Sequence, residues 1–130
     1  MISITALFDD IEPDSSSIQR IEESLNVTLP KIYCEFLKTY GAIDRVEDPI
    51  YGSWKTDEGF DLPSVIGYTK ILRKSISLPE KYICISSKGS DEILLNTENG
   101  YLYQWHDKMK KILPIMECNS FNDYLKMLTI

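Results

Sequence analysis

Apolar residues recur at helical spacing in four stretches of the chain. In the first, Ile18, Ile21 and Leu25 are separated by Gln19, Arg20, Glu22 and Glu23, which predicts a helix with one buried stripe. Ser15, Ser16 and Ser17 precede it and offer N-cap oxygens. The helix is expected to stop near Asn26. Leu29-Pro30 then opens a second helix, since proline suits a first turn whose N–H would go unpaired anyway. Ile32, Tyr33, Phe36, Leu37 and Tyr40 share one face, with Lys31, Glu35 and Lys38 off it. Gly41 is expected to end this helix in a left-handed conformation that carries no Cβ penalty. A third helix is predicted over 64–75, led in by Asp61-Leu62-Pro63-Ser64. Its inner face holds Val65, Ile66, Tyr68, Thr69 and Leu72, and Lys70, Arg73 and Lys74 crowd its end, where cations suit the helix dipole. The fourth starts at Asn119 or Ser120, with Phe121, Tyr124, Leu125 and Leu128 as its stripe.

Between the third and fourth helices the period changes from helical to β. Tyr82 to Ser86 has the density of a buried strand, and Glu92 to Asn96 follows. Asn99-Gly100 is a strong hairpin signal, expected as a type I′ turn with positive φ at both central residues. Tyr101 to Trp105 returns as the partner strand, and alternation places Tyr101, Tyr103 and Trp105 on one face. A short stretch at 112–116 adds an edge. A short strand is also expected within residues 1–14. From Ala42 to Leu62 the pattern loosens around Pro49, Gly52 and Gly59, and Ile50-Tyr51 and Trp54 suggest short strands. Helices at both ends with strands gathered between them predict an α+β fold. No repeat or linker interrupts it, so residues 1–130 are read as a single domain.

The chain has 130 residues, 43% hydrophobic and 26% charged, which fits one folded domain and excludes wholesale disorder. Its formal net charge is −6. Nucleic acid and anionic membranes are therefore excluded as default partners, because binding them relies on Lys and Arg meeting phosphates. The N-terminus lacks a basic region and a long apolar run, and no window could span a bilayer, so a cytoplasmic location is expected. Cys34, Cys84 and Cys118 are odd in number, far apart and set among apolar residues. They read as buried hydrophobes rather than as disulfides or zinc ligands.

Four segments resemble the SMI1/KNR4 family, also called the SUKH superfamily. Ile18 to Leu25 followed by Leu29-Pro30 and Tyr33, Phe36, Leu37 and Gly41 resembles its paired helices. Ile50-Tyr51-Gly52 resembles the short element after them. Asn99-Gly100 with Tyr103, Trp105 and His106 resembles its hairpin strand. Ser120-Phe121 with Tyr124-Leu125 resembles its closing helix. Two departures stand out: the family's Asp- and Gly-rich turn between central strands is only partly kept in Ser86 to Asp91, and its double glycine is here Gly41-Ala42. The resemblance implies helices packed on a bent mixed, largely antiparallel sheet. It also implies an immunity protein of the bacterial kind, which binds a cognate contact-delivered toxin, often a nuclease, without catalysis. The alternative it implies is a regulatory or scaffold module like the fungal relatives.

Charge placement suggests where a basic toxin would bind. Asp9, Asp10, Glu12 and Asp14 form one acidic segment. Asp44, Glu47, Asp48, Asp57, Glu58 and Asp61 form another, against only Arg45 and Lys55. Tyr51, Trp54 and Phe60 lie among the second group, and aromatics ringed by charge are the composition of an interface hot spot. The expected contact surface is therefore Asp44, Glu47, Asp48, Tyr51, Trp54, Asp57, Glu58, Phe60 and Asp61. No cofactor or metal is expected, since a lone His106 with no paired Cys makes a poor ligand set. No nucleophile-elbow motif accompanies His106, so no catalytic residue is assigned and the chain is read as a non-enzyme.

Overall fold

Residues 9–11, 13–44, 49–55, 57, 64–115 and 120–128 are described here from a computed structural model. The side chains of 9–11, 44, 127 and 128 are excluded from that description. The helical stripes fold as expected. Helix α1 (Ser17–Leu25) buries Ile21 and Leu25 completely, and each such side chain contributes about 1.5–3 kcal/mol by leaving water. It ends at Asn26, whose φ of 57° is left-handed. Its start differs from expectation. The triple serine supplies no side-chain cap; Asp14 takes that place, its carbonyl accepting from Ser17 N–H (3.1 Å) and its carboxylate from Ser16 N–H (3.2 Å).

Pro30 precedes helix α2 (Lys31–Thr39), which buries Tyr33, Phe36 and Leu37. The helix ends through Tyr40, with φ −132°. Gly41 is not left-handed; the positive-φ glycines among the described residues are Gly89 and Gly100. Gly41 serves instead in a tight chain crossing. Its carbonyl accepts Ser53 N–H at 2.9 Å, and a Cβ on Gly52 would stand 1.8 Å from that oxygen. Gly52 is therefore the glycine this crossing requires. Strands β1 (Asp9–Ile11) and β2 (Ala42–Asp44) pair antiparallel. Beyond them the described part of the loop carries the bridges Ile43 to Ile50 and Gly52 to Ser64, the latter parallel, and among the described residues Ile50-Tyr51 and Trp54 make no strand longer than these bridges.

Helix α3 (Val65–Ser75) is capped by Ser64, whose Oγ accepts Gly67 N–H at 3.1 Å. The main sheet runs in the order β3 (Tyr82–Lys88), β4 (Asp91–Asn96), β5 (Leu102–His106), β6 (Lys111–Pro114), all antiparallel. A bulge between Cys84 and Ser86 bends β3. Gly89, at φ 65°, makes the tight β3–β4 turn. The hairpin at Asn99-Gly100 forms, but only Gly100 is left-handed. The turn is longer than type I′ because the Asn96 side chain organises it, its Oδ1 accepting from Glu98 N–H (2.8 Å) and Asn99 N–H (3.2 Å).

Both faces of the β3–β4 half are buried. One face carries Ile83, Leu95 and Leu102, which join Tyr33, Phe36 and Phe121 in the core. Phe121 meets both aromatics edge-on, at 5.3 and 5.5 Å. It opens helix α4 (Phe121–Leu128), capped by Ser120 Oγ. The other face carries Cys84, Leu94, Tyr103, Glu92 and Trp105, with α3 packed beside it along β3. No helix among the described residues is long and apolar enough to cross a membrane.

Candidate partner-binding surface

The structure sorts the expected contact residues into three groups. Tyr51 is corrected first: it is 2% exposed and belongs to the core. Its ring stacks on Tyr68 at 4.3 Å, its hydroxyl pairs with Ser87 Oγ at 2.9 Å, and its carbonyl accepts the Tyr33 hydroxyl. A residue so enclosed cannot anchor a partner, and burial raises its phenol pKa. Its position in a loop-rich, acidic stretch gave no sign of this, because the covering groups, Tyr68 and Ser87, lie far along the chain.

Asp57 is also internal in role. Its Oδ2 accepts from Ser53 Oγ (2.8 Å) and Ser64 Oγ (3.0 Å), both serines being fully buried. Ser53 in turn accepts from Arg20 Nη1 at 2.9 Å, and Arg20 Nη2 pairs with Asp14. One polar chain thus runs from Asp14 through Arg20, Ser53 and Asp57 to the cap of α3. It ties α1, the acidic loop and α3 together. The Arg20 guanidinium holds the Asp14 carboxyl below its usual range, helped by the Ser16 amide. Trp54 is half-buried beside this chain, and its carbonyl accepts Asp57 N–H at 2.9 Å. The side chain of Asp44 and residues Glu47, Asp48, Glu58, Phe60 and Asp61 lie outside the described residues.

A different surface emerges on the sheet. Along one row across the strands, Ser87, Glu92, Trp105 and Ile112 face the same way; along the next lie Cys84, Leu94, Tyr103 and Pro114. Cover is complete at Cys84 and Leu94 and thins across β5 and β6, where Tyr103 and Trp105 on β5 and Ile112 on β6 are half-buried. The large hydrophobics that stand most exposed among the described residues are Ile71, Tyr101 and Met109. Tyr101 lies at the start of β5 and Met109 at the β5–β6 tip. The alternation of Tyr101, Tyr103 and Trp105 was the signal for this face. Charge, weighed more heavily in the sequence, pointed to the loop instead.

Glu92 is the one charged group in the Trp105 row. Burial is the main reason its carboxyl pKa is raised, and Asp91 and Asp107 add to it; the Cys84 thiol, donating at 3.4 Å, pulls the other way. His106 ends β5 and its Nδ1 accepts Met109 N–H at 3.4 Å, a turn-closing contact. No group of three or more potential metal ligands occurs among the described residues. Cys34 and Cys84 are free, and Cys118 lies outside the described residues.

An antiparallel sheet flanked by helices, with an aromatic half-open face, defines a small α+β domain. The sequence matches the family described as SMI1-KNR4 cell-wall over residues 4–129. The chain therefore belongs to the SMI1-KNR4 (SUKH) family. A solved protein from Pseudomonas syringae pv. tomato shares the fold, with a TM-score of 0.60 and 20% identity over 75% of this chain and 71% of that one. No curated protein matches the chain.

Proposed function

We propose that this chain is an immunity protein that neutralises a cognate bacterial toxin by direct, non-catalytic binding. Membership of the SMI1-KNR4 family, which includes immunity proteins, is the observation that carries this reading. The half-open aromatic face supports it, since apolar rings at a sheet surface are anchors for a partner. In this reading the acidic residues Asp44, Glu47, Asp48, Glu58 and Asp61 act at longer range. Net charge of −6 speeds encounter with a basic, nuclease-type toxin, and the sheet face holds it. Asp57 contributes to folding rather than to contact. The description of the family by cell-wall function favours one second reading, a regulatory module with several moderate partners.

The test is co-expression with the toxic domain encoded beside this chain. Growth rescue and co-elution as a complex support immunity. Death of the cells despite a folded, expressed chain refutes it. Charge reversal at Glu58 and Asp61 separates the roles: association slows with little change in dissociation if these acids steer.

A further inference from the structure

Asn99 is the one asparagine of this chain that glycine follows. Glycine has no side chain to shield its nitrogen, so an asparagine before it can close on that nitrogen to form a succinimide. The Gly100 nitrogen, losing its proton to solvent base, attacks Asn99 Cγ. The new C–N bond forms, the Cγ–Nδ2 bond breaks, and ammonia leaves. Water then opens the ring at one carbonyl or the other, giving aspartate or isoaspartate with no change of oxidation state. Asn99 is exposed, so base and water reach it.

The turn opposes each requirement of this reaction. The Gly100 N–H donates to the Asn96 carbonyl at 2.8 Å. Removing that proton would leave a negative nitrogen facing a carbonyl oxygen, which is unfavourable. The Asn99 side chain is held at both ends: its Oδ1 accepts from Tyr101 N–H at 2.9 Å, and its Nδ2 donates to the Tyr103 hydroxyl at 3.1 Å. Turning Cγ towards the Gly100 nitrogen strains or breaks these bonds. The Tyr103 end is itself fixed, since its ring is half-buried and packs edge-on against Tyr82 at 5.4 Å.

We propose that Asn99 is a latent site of succinimide formation, locked in the native β4–β5 turn by the Asn96 carbonyl, the Tyr101 amide and the Tyr103 hydroxyl. The reaction waits for the turn to open locally, an event governed by the few bonds that hold it. Isoaspartate routes the backbone through the side-chain carbon, which adds one methylene to the chain at the entry to β5. It also adds a carboxylate beside Glu98. Because β5 carries Tyr103 and Trp105, the lesion falls at the head of the half-open sheet face. The inference does not depend on the immunity reading.

The experiment incubates the full chain in mildly alkaline buffer, native and unfolded in guanidinium chloride. The peptide spanning Asn99 is followed by mass spectrometry, with its aspartate and isoaspartate forms separated by chromatography. The native chain is expected to react at least about tenfold more slowly than the unfolded one, as two or more hydrogen bonds that must open together predict. Tyr103→Phe keeps the ring and deletes the hydroxyl. It is expected to speed the native reaction about threefold or more, for loss of one such bond, and to leave the unfolded rate unchanged. Guanidinium midpoints verify that the variant is folded. Hydrogen exchange at the Gly100 N–H of wild type reads the lock without any substitution, and slow exchange is expected there despite the exposed turn. Equal rates in the native and unfolded chain, an unprotected Gly100 N–H, or a folded Tyr103→Phe chain that reacts at the wild-type rate would overturn the lock.

Discussion

Replacing Asp57 by alanine separates a folding role from an interface role. The carboxylate accepts hydroxyl donors at 2.8 and 3.0 Å from two serines that are fully buried. Each hydrogen bond to a charged group is worth about 1.5–3 kcal/mol. Asp57 itself is half-buried, so water recovers part of the loss. Ser64 keeps its bond from Gly67 N–H, and Ser53 keeps Arg20. The expected cost is therefore about 2–3 kcal/mol, near the lower bound for two such bonds. Domains have only about 5–15 kcal/mol in total, so the melting temperature should drop by roughly 10 °C. Urea unfolding followed by fluorescence of Trp54 and Trp105 measures it directly. Asp57→Asn, with one acceptor oxygen, should fall between. A double-mutant cycle with Ser53→Ala should show coupling of about 1 kcal/mol or more. A loss below about 0.5 kcal/mol, the range of ordinary surface changes, would refute the internal role and return Asp57 to the candidate contact surface.

Further outcomes follow from other contacts. Gly52→Ala should destabilise by about 3 kcal/mol or more, because the new methyl meets the Gly41 carbonyl and both backbones are fixed by hydrogen bonds; a normal urea midpoint would contradict the tight crossing. Glu92 has a raised folded-state pKa, so the stability it supports is full below its unfolded value and is lost as pH rises through the folded value. Glu92→Gln should therefore gain on wild type as pH rises from acid towards neutral, and parallel pH–stability curves would contradict this. Asp14 has the opposite sign: its stabilising pair with Arg20 is present above the unfolded carboxyl value and lost as pH falls through the lowered folded one. Arg20→Met should flatten that acid limb in an acid titration of stability. Cys84, buried and with its thiol pKa raised chiefly by burial, should react with a thiol reagent only on unfolding; labelling of Cys84 at native rates would place it outside the core.

The contrast between Asp57 and Trp105 explains what the sequence could and could not convey. Helices α1 to α4 were legible because Ile21, Tyr33, Leu72 and Phe121 recur on single stripes, and a stripe is a local property. The β4–β5 hairpin was legible from Asn99-Gly100, although its turn type depended on the Asn96 side chain. The burial of Tyr51 and the internal hydrogen bonds of Asp57 were not legible because their partners, Tyr68, Ser87, Ser53 and Ser64, are brought to them by the fold. Charge along a chain does not say which carboxylates meet buried hydroxyls. Tyr103 and Trp105 were placed on one face correctly, yet how far α3 covers that face depends on packing. Gly41 and Gly52 show the same limit: the helix-end glycine was visible, but the backbone crossing that uses it joins residues eleven positions apart.

The proposed function requires that a partner be held through this sheet face. Its most direct measurement is the affinity of the purified chain for the toxin domain encoded beside it, with wild type and Trp105→Ala in parallel. A tight complex and protection of growth are expected for wild type, and loss of both in the folded variant. A wild-type chain that leaves the toxin free, or a Trp105→Ala chain that binds it equally well, would contradict it.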